Sequence, residues 1–546
     1  MLKEKTFKLT LAFFSGILLG LAFPPVPTGI TAIFAFVFYF ILLENLTSYG
    51  NAVRYSYLTF LVFNVITLYW AGGYTHCKDL YMMIAGGLLL LAHPIFLLIP
   101  ILVWFFIRRN LGFNFAIITF PFLWVGFEYF HSSTEIGFPW LLLGNTQTYD
   151  LSIIQFASIT GVYGISFWIL ILNVLIFLLY KKISSNQWKY LSLKFIFSIA
   201  GIIIIYLLPK IYGNYVLQKN DFKDTSEVNI AVIQPNIDPF EKWTIDPDVP
   251  LEIILQQTNE IKNHDVDLAI LPETAIPFYI LHPNNINHFK RLKNKVDSLN
   301  VNLIVGIPDI HYYSANEIVP KSSKTSIDGD RYDTYNSSIL LQPFSDNLQK
   351  YAKIILVPFA ERVPFSETLS FLNAMEWNFG LGGWGIGKDT TVFSFITRNG
   401  DTAKFSNMIC YESVIPGFVS SFAKKGAQFL TIITNDSWWG NTSGAYQHKQ
   451  YAVLRAIENR RWVVQCANGG ISCIIDPLGK IHQQSKLYEK IIIFGKVGTR
   501  NELSFYTKYG NWFSEFIVIF CAIFITAVIS KKFYLYIRKK NENGIH

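Results

Sequence analysis

The stretch Phe405-Ser406-Asn407-Met408-Ile409-Cys410-Tyr411-Glu412-Ser413 decides how the second half of this chain is read. It opens as a short apolar run of strand type and ends on a cysteine followed by a carboxylate. Seven similar runs accompany it: 227–235 (EVNIAVIQP), 266–272 (VDLAILP), 301–307 (VNLIVGI), 335–342, 428–434, 462–467 and 472–476. Helical patterns separate some of them, at about 250–263, 287–299, 415–425 and 445–460. Continuous apolar strands alternating with helices predict a buried sheet covered by helices, hence an α/β domain over 220–500. Polar residues follow several of the strands, which is where α/β folds usually place their chemistry.

Outside this region the chain changes character. Residues 1–212 are one apolar block after another, and 511–530 is apolar again. Of the 546 residues, 51% are hydrophobic and only 15% charged, against about 25% charged in a soluble domain. That composition excludes a disordered chain and argues against a fully soluble one. Five cysteines exclude a disulfide scaffold. A helix needs about 20 mostly apolar residues to span the hydrocarbon core. Seven spans are predicted in 1–212, at about 8–24, 28–44, 55–72, 82–107, 113–130, 160–180 and 192–209, with an eighth at 511–530 and a basic tail to 546. The expected architecture is a polytopic α-helical membrane domain, an α/β extramembrane domain and a C-terminal transmembrane helix.

The formal charge of +8 would suggest a nucleic-acid partner only if it clustered on a folded surface. Instead Lys3, Lys5, Lys8, Arg54, Arg108, Arg109, Lys181, Lys182, Lys189 and Lys194 fall in loops of one side, as do Lys531, Lys532, Arg538, Lys539 and Lys540. The opposite short loops hold little more than Lys78 and Lys210. Positive charge marks the cytoplasmic side, so both termini are expected inside and the α/β domain outside. No small-residue cleavage site follows the first apolar segment, which reads as an uncleaved anchor. The outer loop Gly137–Phe156 (GFPWLLLGNTQTYDLSIIQF) is nearly uncharged. It reads either as an interfacial segment with Trp140 in the aromatic belt or as the wall of a lipid-facing cleft.

Three segments carry chemistry. Leu271-Pro272-Glu273-Thr274 follows a strand, Lys353 leads KIILVPFAERVPF, and Cys410 ends the strand at 405–411. A cysteine with a lysine and a carboxylate available suggests covalent acyl transfer. The thiolate is the nucleophile, an ammonium lowers the thiol pKa and steadies an oxyanion, and a carboxylate serves as base. Each residue also has a plainer reading: Glu273 as a helix N-terminal carboxylate, Lys353 as a surface lysine, Cys410 as a packed strand cysteine. Cys466 and Cys473 lie in similar strands, so cysteine identity alone does not choose among them.

Taken in order, Glu, Lys and Cys within LPET, YAKIILVPFAERVPF and ICYES resemble the nitrilase, or carbon–nitrogen hydrolase, superfamily. With seven apolar segments before the domain and one after, the chain resembles the apolipoprotein N-acyltransferase family within it. GFPWL at 137–141, FEKWTID around Trp243, TNDSWWG at 434–440 and the run from Gln447-His448 to Gly469-Gly470 also match. The resemblance implies an αββα sandwich with Cys410 as nucleophile, Glu273 as general base and Lys353 as stabiliser of oxyanion and thiolate. It implies that Glu361 supports the triad, that Tyr411 and Glu412 matter beside the nucleophile, and that Trp243 stands on an arm near the entrance. Arg362 takes a place where an aromatic residue is expected.

The implied reaction moves the sn-1 acyl chain of a phospholipid, through a Cys410 thioester, to the N-terminal amine of an S-diacylglyceryl-cysteine apolipoprotein. The implied setting is the bacterial inner membrane, with the catalytic domain periplasmic and the enzyme monomeric. No metal, cofactor or nucleic acid is expected, and Cys410 is expected to stay unpaired. The segment Ser366–Lys388, rich in Gly, Phe and Trp, reads either as a lid or as an ordinary aromatic loop. Alternatives are a membrane-tethered amidase acting on a small amide and a non-catalytic membrane scaffold. The intact Glu273, Lys353 and Cys410 argue against the scaffold, as does the scarcity of charge within the spans.

Overall fold

The computed structural model describes residues 2–75, 79–219, 222–368 and 383–543. The lid segment predicted at 366–388 lies mostly outside the described residues, as does Lys78.

The apolar blocks form helices. Among the described residues, six are long and apolar enough to cross a membrane: Tyr49–Gly72, Leu80–Leu111, Phe113–Ser132, Val162–Ser184, Leu193–Lys219 and Trp512–Arg538. The segments predicted at 8–24 and 28–44 are also helical but differ in kind. The helix Leu2–Leu21 carries Lys3, Glu4, Lys5 and Lys8 in its first turns. The helix Ala32–Glu44 has 13 residues and follows a 3-10 turn. The fourth predicted span has a break at Leu97 between Leu80–Phe96 and Leu98–Leu111, flanked by Pro94 and Pro100. Proline removes an amide donor and crowds the preceding turn.

At one end of the bundle the basic residues gather. Lys181 pairs with Glu44 at 2.5 Å, Arg108 donates to the carbonyls of Leu43 and Glu44, and Lys531 donates to the Asn110 carbonyl at 2.7 Å. The other end meets the α/β domain.

That domain has two open sheets. The first contains β1 (Glu227–Gln234), β2 (Leu268–Ile270), β3 (Asn302–Tyr312), β4 (Lys324–Thr325), β5 (Arg331–Leu341), β6 (Gln349–Ala352) and, at one edge, the C-terminal strand Ile491–Gly498. Its order is the C-terminal strand, then β1-β2-β3-β5-β4, with β6 paired to β5. The second contains β7 (Phe393–Ile396), β8 (Thr402–Ile409), β9 (Phe429–Thr434), β10 (Val463–Ala467), β11 (Cys473–Ile475) and β12 (Ile481–Gln484). These are ordered β12-β11-β10-β9-β8-β7. All eight runs read as strands are strands. β4, β6, β7, β12 and the C-terminal strand are additions; the first four have two to four residues each, too short to show as an apolar run.

The sheets are stacked with helices outside. In β1, Val228, Ile230 and Val232 belong to the large core, whereas Ala231 and Ile233 pack with the helices Asp248–Glu260 and Ile286–Leu299. β2 divides likewise, Leu268 and Ile270 against Ala269 and Leu271. A strand with both faces covered must be apolar at every position, which is why these runs do not alternate. Between the sheets, Asn407 donates to Ser338 Oγ at 3.0 Å and Cys466 Sγ lies 3.3 Å from the carbonyls of Ile233 and Ile270. The helices Pro416–Lys424 and Ser443–Asn459 cover the second sheet.

The loop 137–156 forms the seam between the two parts. Trp140 is 2% exposed, so it is a core residue and not a member of an aromatic belt. Its indole and that of Trp70 both donate to Gln447 Oε1, at 2.7 and 3.0 Å. Tyr451 donates to the Trp140 carbonyl at 2.9 Å, and Tyr411 to the Gly137 carbonyl at 2.8 Å.

Candidate active site

Strand ends deliver the candidate residues. Glu273 follows β2 and is 7% exposed. The loop that carries it runs against β3 at Gly306, where a Cβ would stand 2.6 Å from the Pro272 carbonyl and 2.8 Å from Glu273 Cα. Lys353 follows β6 and is fully buried. Cys410 follows β8 and opens a 3-10 turn with φ +52°, a left-handed conformation rare for a side chain with a Cβ.

The three strand ends converge. Lys353 Nζ lies 2.8 Å from Glu361 Oε1 and 3.7 Å from Glu273 Oε1. Asn336 Nδ2 donates to Glu273 Oε1 at 2.7 Å and reaches Glu361 Oε1 at 3.5 Å. Glu361 Oε2 accepts from the Val357 amide at 2.8 Å, closing the loop of which it is part. Glu273, Lys353, Glu361 and Cys410 thus form one electrostatic group. Cys466 and Cys473 are fully buried elsewhere in the sandwich, so geometry singles out Cys410.

The charges follow from this enclosure. Burial raises the Glu273 carboxyl above the usual carboxylate range, and Lys353 only partly opposes it. Burial works against the Lys353 ammonium, yet Glu361 and Glu273 hold it above its ordinary value. The Cys410 thiol was expected to be lowered by the ammonium. Lys353 does pull it down, but burial and the Glu273 charge outweigh that pull, and the thiol stands well above its usual value. Cys410 is therefore held as a thiol, near the Glu273 carboxyl group.

Glu412 turns out to be a brace. Fully buried, it accepts from Tyr351 Oη at 2.6 Å, from the amides of Ile354 and Ile355 at 2.7 and 3.1 Å, and from the Ile409 amide at 2.8 Å. It ties the segment after Lys353 to the residue before Cys410. Tyr411 contacts the helical part through Gly137. Trp243 stands at the edge of the site, under the Lys242 ammonium 5.4 Å from its ring. Arg362 is buried, donating to the Trp384 carbonyl at 3.1 Å, Ser322 Oγ at 2.9 Å and Glu367 Oε1 at 2.7 Å.

Two residues had no signal in the sequence. Asn336 sits in the strand-like run 335–342, whose polar members look like any solvent face. Lys242 lies beside Trp243, and its buried Nζ holds the Glu273 loop by donating to the Thr274 carbonyl at 3.2 Å and hydroxyl at 2.6 Å. Among the described residues, no group of three or more His, Cys, Asp or Glu is arranged to hold a metal.

A cleft of about 350 Å³ opens beside Tyr411. Glu135, Gly137 and Tyr163 line it from the helical part, and Leu356, Arg362 and Phe418 from the α/β domain.

The carbon–nitrogen hydrolase family model matches residues 229–498, and the apolipoprotein N-acyltransferase N-terminal domain model matches 15–175. The chain is 34% identical to the apolipoprotein N-acyltransferase of Chlorobaculum tepidum, over 91% of this chain and 92% of that protein. It is 31% identical to that of Geobacter metallireducens, over 96% and 95%. Among solved structures it is similar to Saccharomyces cerevisiae Nit3, a member of branch 10 of the nitrilase superfamily. That likeness has 18% identity and a TM-score of 0.34, covering 50% of this chain and 91% of Nit3. A carbon–nitrogen hydrolase domain joined to apolar helices, with relatives of one name matched along nearly their whole length, establishes that the chain belongs to the apolipoprotein N-acyltransferase family.

Proposed function

We infer that this membrane enzyme takes the sn-1 acyl chain from a phospholipid and transfers it to the N-terminal amine of an S-diacylglyceryl-cysteine apolipoprotein, with Cys410 as nucleophile, Glu273 as base and Lys353 as oxyanion stabiliser. The observation that carries this reading is the position of the Glu273–Lys353–Cys410 group beside a cleft walled jointly by the apolar helices and the α/β domain.

Glu273 takes the Cys410 proton, and Sγ attacks the ester carbonyl carbon. The carbonyl oxygen becomes an oxyanion facing the Lys353 ammonium, which Glu361 holds in place. The C–O bond breaks, the glycerol oxygen receives the proton from Glu273, and lysophospholipid leaves a thioester. The acceptor amine then attacks that carbonyl carbon, Glu273 takes an amine proton, and the C–S bond breaks to give the amide. The proton returns to sulfur. Glu361 and Glu412 are positioning residues in this scheme, and Tyr411 and Trp243 are substrate-side residues.

Both substrates are lipid-anchored, which suits a site at the junction with apolar helices. The division into a helical domain (1–212), a catalytic domain (220–500) and a C-terminal helix with a basic tail (511–546) belongs to this reading. So do monomeric action and a periplasmic site with both termini cytoplasmic. The gathering of Arg108, Lys181 and Lys531 at the end of the bundle away from the site supports that orientation.

The test is to incubate detergent-solubilised protein with sn-1-labelled phospholipid and no acceptor, then digest it. Hydroxylamine-sensitive label on the Cys410 peptide, absent in Cys410→Ala, is expected. Absence of both label and lysophospholipid would overturn the acyl-donor step in favour of a tethered amidase.

A further inference from the structure

Four buried polar side chains starting at the Cys410 carbonyl form a continuous run that the scheme above does not use. Ser413 Oγ donates to the Cys410 carbonyl at 2.7 Å and lies 2.8 Å from His448 Nε2. His448 Nδ1 lies 2.9 Å from Asp436 Oδ1, which also accepts from Thr434 Oγ1 at 2.8 Å. The run leaves from the main chain of Cys410 and ends at Thr434, the last residue of β9. His448, Asp436 and Thr434 are wholly buried, and Ser413 is 1% exposed.

Donor counting gives the run a direction. The single Ser413 hydrogen goes to the Cys410 carbonyl, so Ser413 Oγ accepts from His448 Nε2–H. The Asp436 carboxylate can only accept, so Nδ1 also carries a hydrogen. This is not a second hydrolytic triad, because the Ser413 hydroxyl is committed to the Cys410 carbonyl.

A reason for the run lies in the backbone. Cys410 holds φ +52°, a conformation that persists only where the surroundings over-determine it. We propose that Ser413, His448, Asp436 and Thr434 act as one positioning circuit that locks the left-handed Cys410 main chain and so fixes its sulfur against the substrate carbonyl. The charged groups that face Cys410 are Glu273 after β2, Lys353 after β6 and Asp436 after β9. The circuit therefore approaches the thiol from a third strand end. The proposal rests on Cys410 being the nucleophile.

The experiment uses the full-length detergent-solubilised enzyme and sn-1-labelled phospholipid, in single turnover, with rates expressed per alkylatable Cys410. Ser413→Ala is expected to slow thioester formation by about tenfold or more, with donor half-saturation unchanged, as misplacing a reacting atom does. Ser413→Thr, which keeps the hydroxyl, is expected to recover most of the rate. Ser413→Ala combined with His448→Gln should lose no more than the worse single variant, because links of one circuit are not additive. A Ser413→Ala rate within twofold of the unaltered enzyme, a loss residing wholly in half-saturation, or additive losses would each overturn the proposal. Failure of the unaltered enzyme to form the thioester would count instead against the nucleophile assignment.

Discussion

Gly306→Ala isolates the placement of the candidate base. The added Cβ would stand 2.6 Å from the Pro272 carbonyl oxygen and the Thr274 amide nitrogen, and 2.8 Å from Glu273 Cα. All three are backbone atoms, so no flexible side-chain end can swing aside. Ordinary contact begins near 3.4 Å, so the loop must retreat by 3.4 − 2.6 = 0.8 Å along the tightest contact. Overpacking of this kind costs about 1–3 kcal/mol. The displacement falls on Glu273, which Asn336 holds at 2.7 Å and which lies 3.7 Å from Lys353. A shift of about 1 Å in a reacting group can cost on the order of 100-fold in rate. Gly306→Ala should thus lose roughly 10- to 100-fold in thioester formation while still folding. Alkylation of Cys410 carried to completion should still count one reactive thiol per chain, because an end-point titration does not depend on the rate at which Glu273 removes the proton. The assay is single-turnover labelling from phospholipid beside iodoacetamide titration, with thermal unfolding followed by tryptophan fluorescence. A variant that unfolds several degrees earlier but labels at the normal rate would refute the link between this close approach and catalysis.

Two further outcomes follow from the site's charges. Lys242→Met removes two hydrogen bonds to Thr274, worth about 1.5–3 kcal/mol each for a charged donor. It also removes a buried charge whose pKa burial has brought down to about 8, a penalty of about 3 kcal/mol. Stability should therefore fall by about 0–3 kcal/mol while thioester formation falls about tenfold; a loss of stability with an unchanged rate would contradict this. With Glu273 raised above the usual carboxylate range, thioester formation should climb as pH rises through that elevated folded value, because the base must be ionised. Its contribution to stability runs the other way, fully present below the unfolded value and lost as pH rises through the folded one. Single-turnover rates and unfolding temperatures measured across pH should diverge in that window, and an activity midpoint at an ordinary carboxylate value would sink the argument.

Much of the site was readable because its chemistry is local. LPET and ICYES each close an apolar strand, so for Glu273 and Cys410 the motif and its structural setting occur in the same few residues, whereas Lys353 follows the short polar edge strand β6. Glu361, Tyr411 and Glu412 came only from the family resemblance, and the brace formed by Glu412 was not foreseen: its four donors come from Tyr351, Ile354, Ile355 and Ile409. Asn336 and Lys242 were missed because each acts on a residue more than 30 positions away. His448 appeared solitary in the sequence and gains both its partners, Asp436 and Ser413, only when the helix Ser443–Asn459 is laid across the second sheet.

What the sequence alone determined was element type, and the period of its apolar residues is the reason. Long uninterrupted apolar runs can only be satisfied as helices in lipid, and short ones between helices only as strands with both faces covered. The tertiary structure alone decided the charges and contacts of the site. Whether Lys353 or burial governs the Cys410 thiol depends on how deeply the strand ends are enclosed. Whether Trp140 faces lipid or Gln447 depends on where the α/β domain docks. Both are sums over groups far apart in the chain, and no local pattern encodes their distances.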